Sequence, residues 1–317
     1  MGDLVFALPA VEALRREQPQ ASIEWLVEDK HANLLKNCPF LDKLHIFPRQ
    51  DFQGLKGIFT FFKYLKHLKE LGKFDVIFDL QGNAKSALQL VALESQYKIG
   101  GDKRVLREYA HCFHHHNVKW SQEEHRSTRD LKIIKYGFPG LEIGHSVKWD
   151  VSSKSIRKAQ AENLCLLHTS TSLYGQDKDW GEENWIALAR AIRTKKSVAL
   201  LHTPDVREKV ERIAKEANVP LAPETPTIED LIYLLDHSEL LISTDSGPAH
   251  IAALRGNQVI ALFGPTNSTV YAPPAFNNNL KILSAGNQDF PKRRNRKHIS
   301  PLMQEIKVND VLRSIEY

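Results

Sequence analysis

The 317-residue chain has few cysteines and no long apolar run. Its three cysteines, Cys38, Cys112 and Cys165, are scattered and include no Cys-x-x-Cys pair, which favours a reducing, cytoplasmic compartment. No apolar stretch approaches the roughly 18 residues of a membrane-spanning helix, and no signal peptide is evident. The sequence therefore predicts a cytoplasmic protein without a membrane span.

Two common nucleotide-binding signatures are also missing. The absence of Gly-x-Gly-x-x-Gly argues against a dinucleotide dehydrogenase, and the absence of Gly-x-x-x-x-Gly-Lys-Ser/Thr argues against a P-loop enzyme. The net charge is only +5, from 43 basic and 38 acidic residues, and no RNA- or DNA-binding motif appears. This charge favours an acidic small molecule or an anionic membrane surface over nucleic acid.

The chain does contain enough apolar residues, 42% of the total, to build real cores. Its length indicates two domains, residues 1–150 and 151–317, joined by a polar linker near 144–155. Apolar periodicity predicts alternating strands and helices in both halves, and hence parallel sheets covered on both faces. Two such halves would face a central cleft, with ligands at the carboxyl ends of the strands. The predicted elements are helices 9–17, 54–71, 85–93, 183–193 and 207–217 and strands 22–27, 44–47, 74–80, 163–168 and 197–202.

The most informative segment is residues 244–266, which begins Thr-Asp-Ser-Gly-Pro-Ala-His. Leu240-Leu241-Ile242 predicts a strand, a helix starts near Pro248, and Val259–Phe263 returns as a buried strand. Asp245 or Ser246 would cap the helix, and Gly247 would let a ligand approach the backbone. A helix N-terminus just beyond a strand is an anion-binding site, and His250 can point at the same place. The alternative is an ordinary strand-to-helix turn.

Five stretches in the same order resemble the ADP-heptose:lipopolysaccharide heptosyltransferases. They cover nearly the whole chain, and although each match alone is weak, five in register are specific. They are Gly2-Asp3 through Pro9-Ala10; Asp79-Leu80-Gln81-Gly82 with Lys85-Ser86-Ala87; His168 through Lys178 with Trp180 and Trp185; Asp245 through His250; and Phe263-Gly264-Pro265-Thr266.

The resemblance implies a GT-B fold, with two Rossmann-like domains around a cleft, and an inverting, metal-independent glycosyltransferase without a cofactor. The donor would be ADP-heptose. The Gln-Gly…Lys-Ser stretch, followed by Arg107-Glu108-Tyr109, is most similar to heptosyltransferase I, whose acceptor is Kdo–lipid A. Members of the family carry a strand before Gly-Asp, whereas here Met1 directly precedes Gly2. We therefore expect the first domain to lack that strand.

On the donor side, glycosyl transfer needs positive charge for the leaving diphosphate, and Lys178 is the candidate. Thr171 and Ser172 offer hydroxyl donors to phosphate. The backbone amides of Ser246 and Gly247, together with His250, would hold the other phosphate oxygens. Asp245 would cap the helix or accept hydrogen bonds from sugar hydroxyls.

On the acceptor side, the resemblance makes Asp3 the catalytic base, with a helix cap as the alternative role. Kdo carboxylates and lipid A phosphates suit basic side chains, and the candidates are Lys85, Arg104, Arg107 and Arg126.

Helix 54–71 carries an apolar stripe of Leu55, Ile58, Phe59, Phe62 and Leu65. Its lysines 56, 63, 66 and 69 lie beside Phe61 and Tyr64, and this pattern would suit a helix that rests on an anionic inner leaflet. The alternative is a core helix with one solvent-exposed face. The expected location is the cytoplasmic side of the inner membrane.

Other interpretations stay open. Asp177-Lys178-Asp179 matches the Asp-x-Asp pattern that holds a divalent metal in another glycosyltransferase class, although the central lysine would repel a cation. His111, His114, His115 and His116 lack a carboxylate or cysteine framework, which favours a solvated loop over a metal site. The alternative functions are transfer from another nucleotide sugar and non-catalytic binding of a nucleotide sugar.

Overall fold

The computed structural model describes residues 2–52, 54–103, 109–169, 175–276, 278–285 and 300–315. The chain divides into two compact units, one comprising Asp3–Ile143 and one beginning at Gly144. In both, helices alternate with strands, and every strand pairing in the described part is parallel. The predicted α/β class with parallel sheets is confirmed.

The first unit contains five helices and five strands within its described residues, and its strands form two separate sheets. β1 pairs with β2, and β3, β4 and β5 form the second sheet in that order. The elements are α1 (Gly2–Glu17), β1 (Glu24–Glu28), α2 (Ala32–Leu35), β2 (Lys43–Phe47), α3 (Gly54–Lys69), β3 (Lys73–Asp79), α4 (Ala84–Ala92), β4 (Glu94–Gly101), β5 (His116–Val118) and α5 (Arg126–Gly137).

Helix α1 begins seven residues before the predicted start at Pro9 and includes that proline. Its apolar residues Val5–Leu8 are buried, so packing extends the helix over the Gly-Asp motif. Asp3 lies in the first turn and Arg15 and Arg16 in the last, which is the favourable orientation relative to the helix dipole. Because α1 already includes Gly2, Asp3 occupies a helical position and not that of a cap.

The second unit contains the larger sheet. Its strand order is β10-β9-β8-β6-β7, all parallel. The elements are β6 (Leu164–His168), α6 (Glu182–Ile192), β7 (Ser197–Leu201), α7 (Arg207–Ala217), α8 (Ile228–His237), β8 (Leu240–Thr244), α9 (Gly247–Leu254), β9 (Val259–Phe263), α10 (Ser268–Tyr271), β10 (Leu280–Ser284), α11 (Pro301–Glu305) and α12 (Val308–Ser314).

This strand order creates a topological switch point between β6 and β8. The chain leaves β6 toward β7 on one side and later continues from β8 toward β9 on the other. Loops that leave in opposite directions open a crevice at the carboxyl ends of the two central strands, which is where open α/β sheets bind ligands.

The core of the second unit fixes the loop that carries one candidate site residue. Trp180 and Trp185 are fully buried, and their rings meet edge-on with centroids 5.0 Å apart. The Trp180 indole Nε1–H donates to the Ile306 carbonyl oxygen at 2.8 Å. These tryptophans, part of the motif that the sequence assigns to phosphate binding, therefore anchor the segment and do not line a ligand site.

None of the helices among the described residues is long and apolar enough to span a lipid bilayer.

Candidate active site

Three predicted donor-site residues meet at the switch point of the second unit. The Lys178 ammonium donates to Asp245 Oδ2 at 2.5 Å and to the Asp245 carbonyl oxygen at 3.3 Å. His250 Nε2 lies 3.1 Å from Asp245 Oδ1. Lys178 ends a short 3-10 turn after β6, Asp245 follows β8, and His250 lies on α9. The fold thus gathers residues up to 72 positions apart, which we call the Asp245 cluster.

The Asp245 carboxylate stays charged although its side chain is only 7% exposed. Burial alone raises its pKa, but the hydrogen bond with His250 and the charge of Lys178 outweigh burial and hold the pKa well below its ordinary value. The sequence suggested that Lys178 is a free counter-charge for the diphosphate, but in the structure this lysine is already paired with Asp245. Its side chain is 21% exposed, and its ammonium is held in position by a buried carboxylate.

Ser246, and not Asp245, is the N-cap of α9. Its hydroxyl accepts from the Ala249 N–H at 3.5 Å, and Pro248 lies in the first turn. The backbone N–H groups of Ser246 and Gly247 donate to no described residue. This helix end therefore retains the free donors and positive dipole that bind anions.

A hydrogen-bonded chain ties the cap to the neighbouring strand. Ser246 Oγ lies 2.7 Å from Ser243 Oγ, which lies 3.1 Å from His168 Nδ1. Burial lowers the pKa of His168 to about 4, so this histidine is neutral at neutral pH. These hydrogen bonds fix the position of α9 relative to β6 without adding charge.

Three threonines at the same sheet edge lie in segments that the sequence analysis singled out, but they were given no role of their own. Thr169 follows β6, Thr244 ends β8 and Thr266 lies just after β9. All three are buried, and none of their hydroxyls has a hydrogen-bond partner among the described residues. Buried hydroxyls are normally paired, so these are candidate ligand contacts. The available signal was a threonine at the end of a central strand or within three residues after it.

The Asp-x-Asp pattern does not present two free carboxylates. Asp179 accepts hydrogen bonds from the Lys209 ammonium and the Gly181 N–H, while Asp177 is buried. Within the described ranges, no group of three or more His, Cys, Asp or Glu side chains is arranged to hold a metal ion.

In the first unit, Asp3 is accessible and faces one candidate acceptor residue. Its side chain is 58% exposed, and its Oδ1 lies 3.8 Å from Arg126 Nε. Arg126, at the start of α5, also donates from Nη2 to the Leu80 carbonyl oxygen at 3.2 Å. The geometry places the proposed base next to a cation that suits an anionic acceptor.

The Asp79 motif shapes the turn that holds Arg126. Asp79 Oδ1 accepts from the Gly82 N–H at 2.8 Å and the Gln81 N–H at 3.1 Å. Its Oδ2 accepts from Ser86 Oγ and lies 3.0 Å from His114 Nε2. This buried carboxylate orients the Leu80 carbonyl that Arg126 contacts, so its role is to position other groups.

The histidine run is not one solvated loop. His114 is buried against Asp79, and His115 Nδ1 lies 2.8 Å from the Gln96 carbonyl oxygen. His116 stacks on Tyr97. Each of these side chains has a separate structural partner.

Behind Arg126, one helical turn along α5, lies a buried acid that the sequence did not reveal. Neither oxygen of Asp130 has a hydrogen-bond partner among the described residues. Burial, opposed by the charges of Arg126 and Arg129 and reinforced by Asp3, raises the pKa of Asp130 to about 7. The carboxyl group thus titrates near neutral pH.

The remaining predicted residues are less informative. Lys85 is exposed, with its Nζ 3.6 Å from Glu28 Oε1. Thr171, Ser172, Arg104 and Arg107 lie outside the described residues.

Comparison with known proteins gives consistent results. A family model described as glycosyltransferase family 9 (heptosyltransferase) matches residues 61–303. A Campylobacter coli protein named lipopolysaccharide heptosyltransferase 1 is 25% identical over 350 residues, covering 100% of this chain and 95% of the relative.

Solved structures share the fold over nearly the whole chain. E. coli heptosyltransferase WaaC with ADP-2-deoxy-2-fluoro heptose superposes with a TM-score of 0.78 at 18% identity, covering 99% of this chain and 95% of that chain. A family 9 glycosyltransferase from Veillonella parvula gives a TM-score of 0.80 at 17% identity, covering 99% and 92%. The GT-B architecture expected from the sequence is confirmed.

Proposed function

The chain belongs to glycosyltransferase family 9, the heptosyltransferases, and from this we propose that it transfers a heptose from ADP-heptose to the Kdo–lipid A inner core of lipopolysaccharide. The observation that carries the proposal is the Asp245 cluster at the N-terminus of α9. It combines a held ammonium, free backbone donors and nearby buried hydroxyls, a set that suits a nucleoside diphosphate.

In the donor site, Lys178 and the N–H groups of Ser246 and Gly247 contact the diphosphate, and Thr244 and Thr266 supply hydroxyl donors. Thr171 and Ser172, which lie outside the described residues, stay predicted hydroxyl donors to the phosphates. Asp245 and His250 act mainly by holding Lys178 and the start of α9. Negative charge grows on the diphosphate as the sugar leaves, so groups positioned in advance stabilise the transition state more than the ground state.

In the reaction, the acceptor hydroxyl oxygen attacks the anomeric carbon of the heptose. The bond from that carbon to the diphosphate oxygen breaks, ADP leaves with the electron pair, and Asp3 takes the hydroxyl proton. A single displacement of this kind inverts the anomeric configuration. The exposure of Asp3 leaves room for a bulky acceptor, and Arg126 and Lys85 offer positive charge to its Kdo carboxylates or phosphates.

The acceptor is lipid-linked, so the protein works at the cytoplasmic face of the inner membrane as a peripheral protein. Its donor is a soluble nucleotide sugar that needs no membrane site. The name of the C. coli relative supports this acceptor class for the present chain.

The test is a transfer assay with Kdo–lipid A as acceptor and ADP-heptose, UDP-glucose or GDP-mannose as donor. We expect a product heavier by one heptose, together with ADP release, only from ADP-heptose. Transfer from another donor alone would replace ADP-heptose as the substrate. ADP binding without turnover on any acceptor would favour the non-catalytic alternative.

A further inference from the structure

Helix α3 turns three large apolar side chains toward solvent. Ile58, Phe59 and Phe62 are 52%, 79% and 64% exposed. Exposed large apolar groups at neighbouring helix positions are uncommon on a protein that has no partner for them. These three members of the predicted stripe therefore do not face the interior, whereas a fourth member, Leu65, packs against the core.

A different side of α3 makes the core contact. Tyr64 and Leu68 are buried in a cluster with Phe47 of β2 and Ala92 of α4, and Phe61 packs against it. Phe61 and Tyr64, which the sequence placed beside the lysines, therefore belong to the interior. This packing fixes which side of α3 is buried and which side faces outward.

The outward face is also strongly basic. At about 100° per residue, Lys63, Lys66 and Lys69 fall on the same side of the helix as Phe59 and Phe62. All three lysines are exposed, and α3 contains no acidic residue. The helix thus presents aromatic rings among ammonium groups, and we call the face formed by Ile58, Phe59, Phe62, Lys63, Lys66 and Lys69 the α3 surface.

We propose that the α3 surface docks the protein on an anionic phospholipid bilayer. The rings enter the boundary between headgroups and acyl chains, while the lysine stems extend along them and keep their ammonium groups at the phosphates. The inference deepens the proposed function by naming the surface that brings the enzyme to a lipid-linked acceptor.

Charge complementarity favours a bilayer over a second copy of this chain. In a two-fold dimer through this face, the three lysines of one copy would meet those of the other, and Glu70, the residue after α3, offers them a single carboxylate. An anionic lipid surface instead attracts each lysine within a Debye length.

The test is vesicle co-sedimentation of the full chain in the absence of acceptor. Vesicles of phosphatidylcholine with about one-third phosphatidylglycerol are compared with pure phosphatidylcholine. The two variants are Phe59→Ser/Phe62→Ser and Lys63→Glu/Lys66→Glu/Lys69→Glu. The matched control, Lys154→Glu/Lys158→Glu/Lys215→Glu, makes the same charge change at exposed positions of the second unit.

We expect wild type and control to bind the anionic vesicles, and each α3 variant to bind at least about tenfold more weakly. Binding by wild type that the α3 variants retain, or no binding by wild type, would overturn the proposal. A dimer in light scattering that the phenylalanine variant abolishes would also overturn it, by assigning the face to a second copy. Circular dichroism and ADP titration verify that the variants are folded.

A second assay separates this proposal from the proposed function. With a Kdo-containing saccharide that lacks acyl chains as acceptor, the α3 variants should transfer heptose at the wild-type rate. Loss of that transfer would mean that the lysines bind saccharide and not lipid. If wild type transfers no heptose yet binds anionic vesicles through the α3 surface, the proposed function fails and the docking surface stands.

Discussion

The ammonium of Lys178 is held before any ligand arrives, because Asp245 beneath it is almost inaccessible to water and remains ionised. A side chain fixed in this way loses little conformational freedom when a diphosphate binds. We therefore propose different roles within the Asp245 cluster: Lys178 contacts the diphosphate, while Asp245, which His250 contacts in turn, holds Lys178 in position.

Lys178→Ala should weaken ADP binding by about tenfold or more, since a charge-assisted hydrogen bond contributes roughly 1.5–3 kcal/mol. Isothermal titration calorimetry measures the effect. Lys209→Ala is the matched control, because it removes an equal charge from a lysine that contacts Asp179 and not Asp245. Unchanged ADP affinity in Lys178→Ala would remove this lysine from the donor site.

Asp3→Asn should lower turnover by about 10²–10⁴-fold, because the amide cannot accept the acceptor proton. The side chain is exposed, so folding and ADP affinity should persist. Glu12→Gln, on the same helix, should leave turnover unchanged. Near wild-type activity of Asp3→Asn on a Kdo-containing acceptor would exclude it as the base.

Asp130 should make the protein less stable as the pH rises. Its folded pKa of about 7 lies above the unfolded value near 4, so between these values the folded state holds a proton that the unfolded state has lost. The free energy of unfolding therefore falls from about pH 4 to pH 7 and changes little above that.

Asp130→Asn should remove this contribution and stabilise the protein at pH 8 by roughly 1–3 kcal/mol, with little change at pH 4. Urea unfolding at both pH values measures the difference. Asp75→Asn, at an exposed position of the same unit, should have no such effect. Equal stability of wild type and Asp130→Asn at pH 8 would contradict the prediction, because it would mean that other interactions offset the cost of the buried negative charge.

Among the helices, α9 combines two tasks at its first turn, since Ser246 caps it and its free N–H groups face the candidate ligand site. Ser246→Asp and Ser246→Asn both supply good caps, so both should retain thermal stability. Only the aspartate adds negative charge where the diphosphate binds. It should weaken ADP binding by about tenfold or more, while the asparagine variant stays near wild type. Equal affinities in the two variants would place the diphosphate elsewhere.

The helices and strands also show where apolar patterns are sufficient. Val259–Phe263 was predicted with the observed bounds, because a short run buried on both faces has a strong signal. Strand β4 was not predicted, since Glu94–Gly101 reads as polar and its pairing partners β3 and β5 stabilise it as a strand. Long-range pairing of this kind has no local signature.

For the molecule as a whole, the donor site should work without a metal ion. The thermal unfolding temperature in excess ADP should rise by the same amount with and without EDTA, because protein groups alone supply the positive charge. A ligand-induced shift that disappears in EDTA would restore the interpretation of Asp177 and Asp179 as metal ligands.

The sequence by itself determined the family and the alternation of strands and helices, and it predicted an anion site around Asp245-Ser246-Gly247. These properties depend on local periodicity, turn chemistry and motifs in a fixed order. The family and the parallel α/β architecture are confirmed, while the roles of the site residues stay predictions.

Only the tertiary structure decided which polar residues are buried and which apolar residues are not. Phe61 and Phe59 lie two residues apart on α3, yet one packs on the core and the other is exposed, because the position of β2 and α4 selects the buried side. Likewise, Asp130 is buried and Lys178 pairs with Asp245 because the fold brings segments together that are far apart in the sequence. Burial and charge pairing depend on neighbours from distant segments, and these neighbours exist only once the chain has folded.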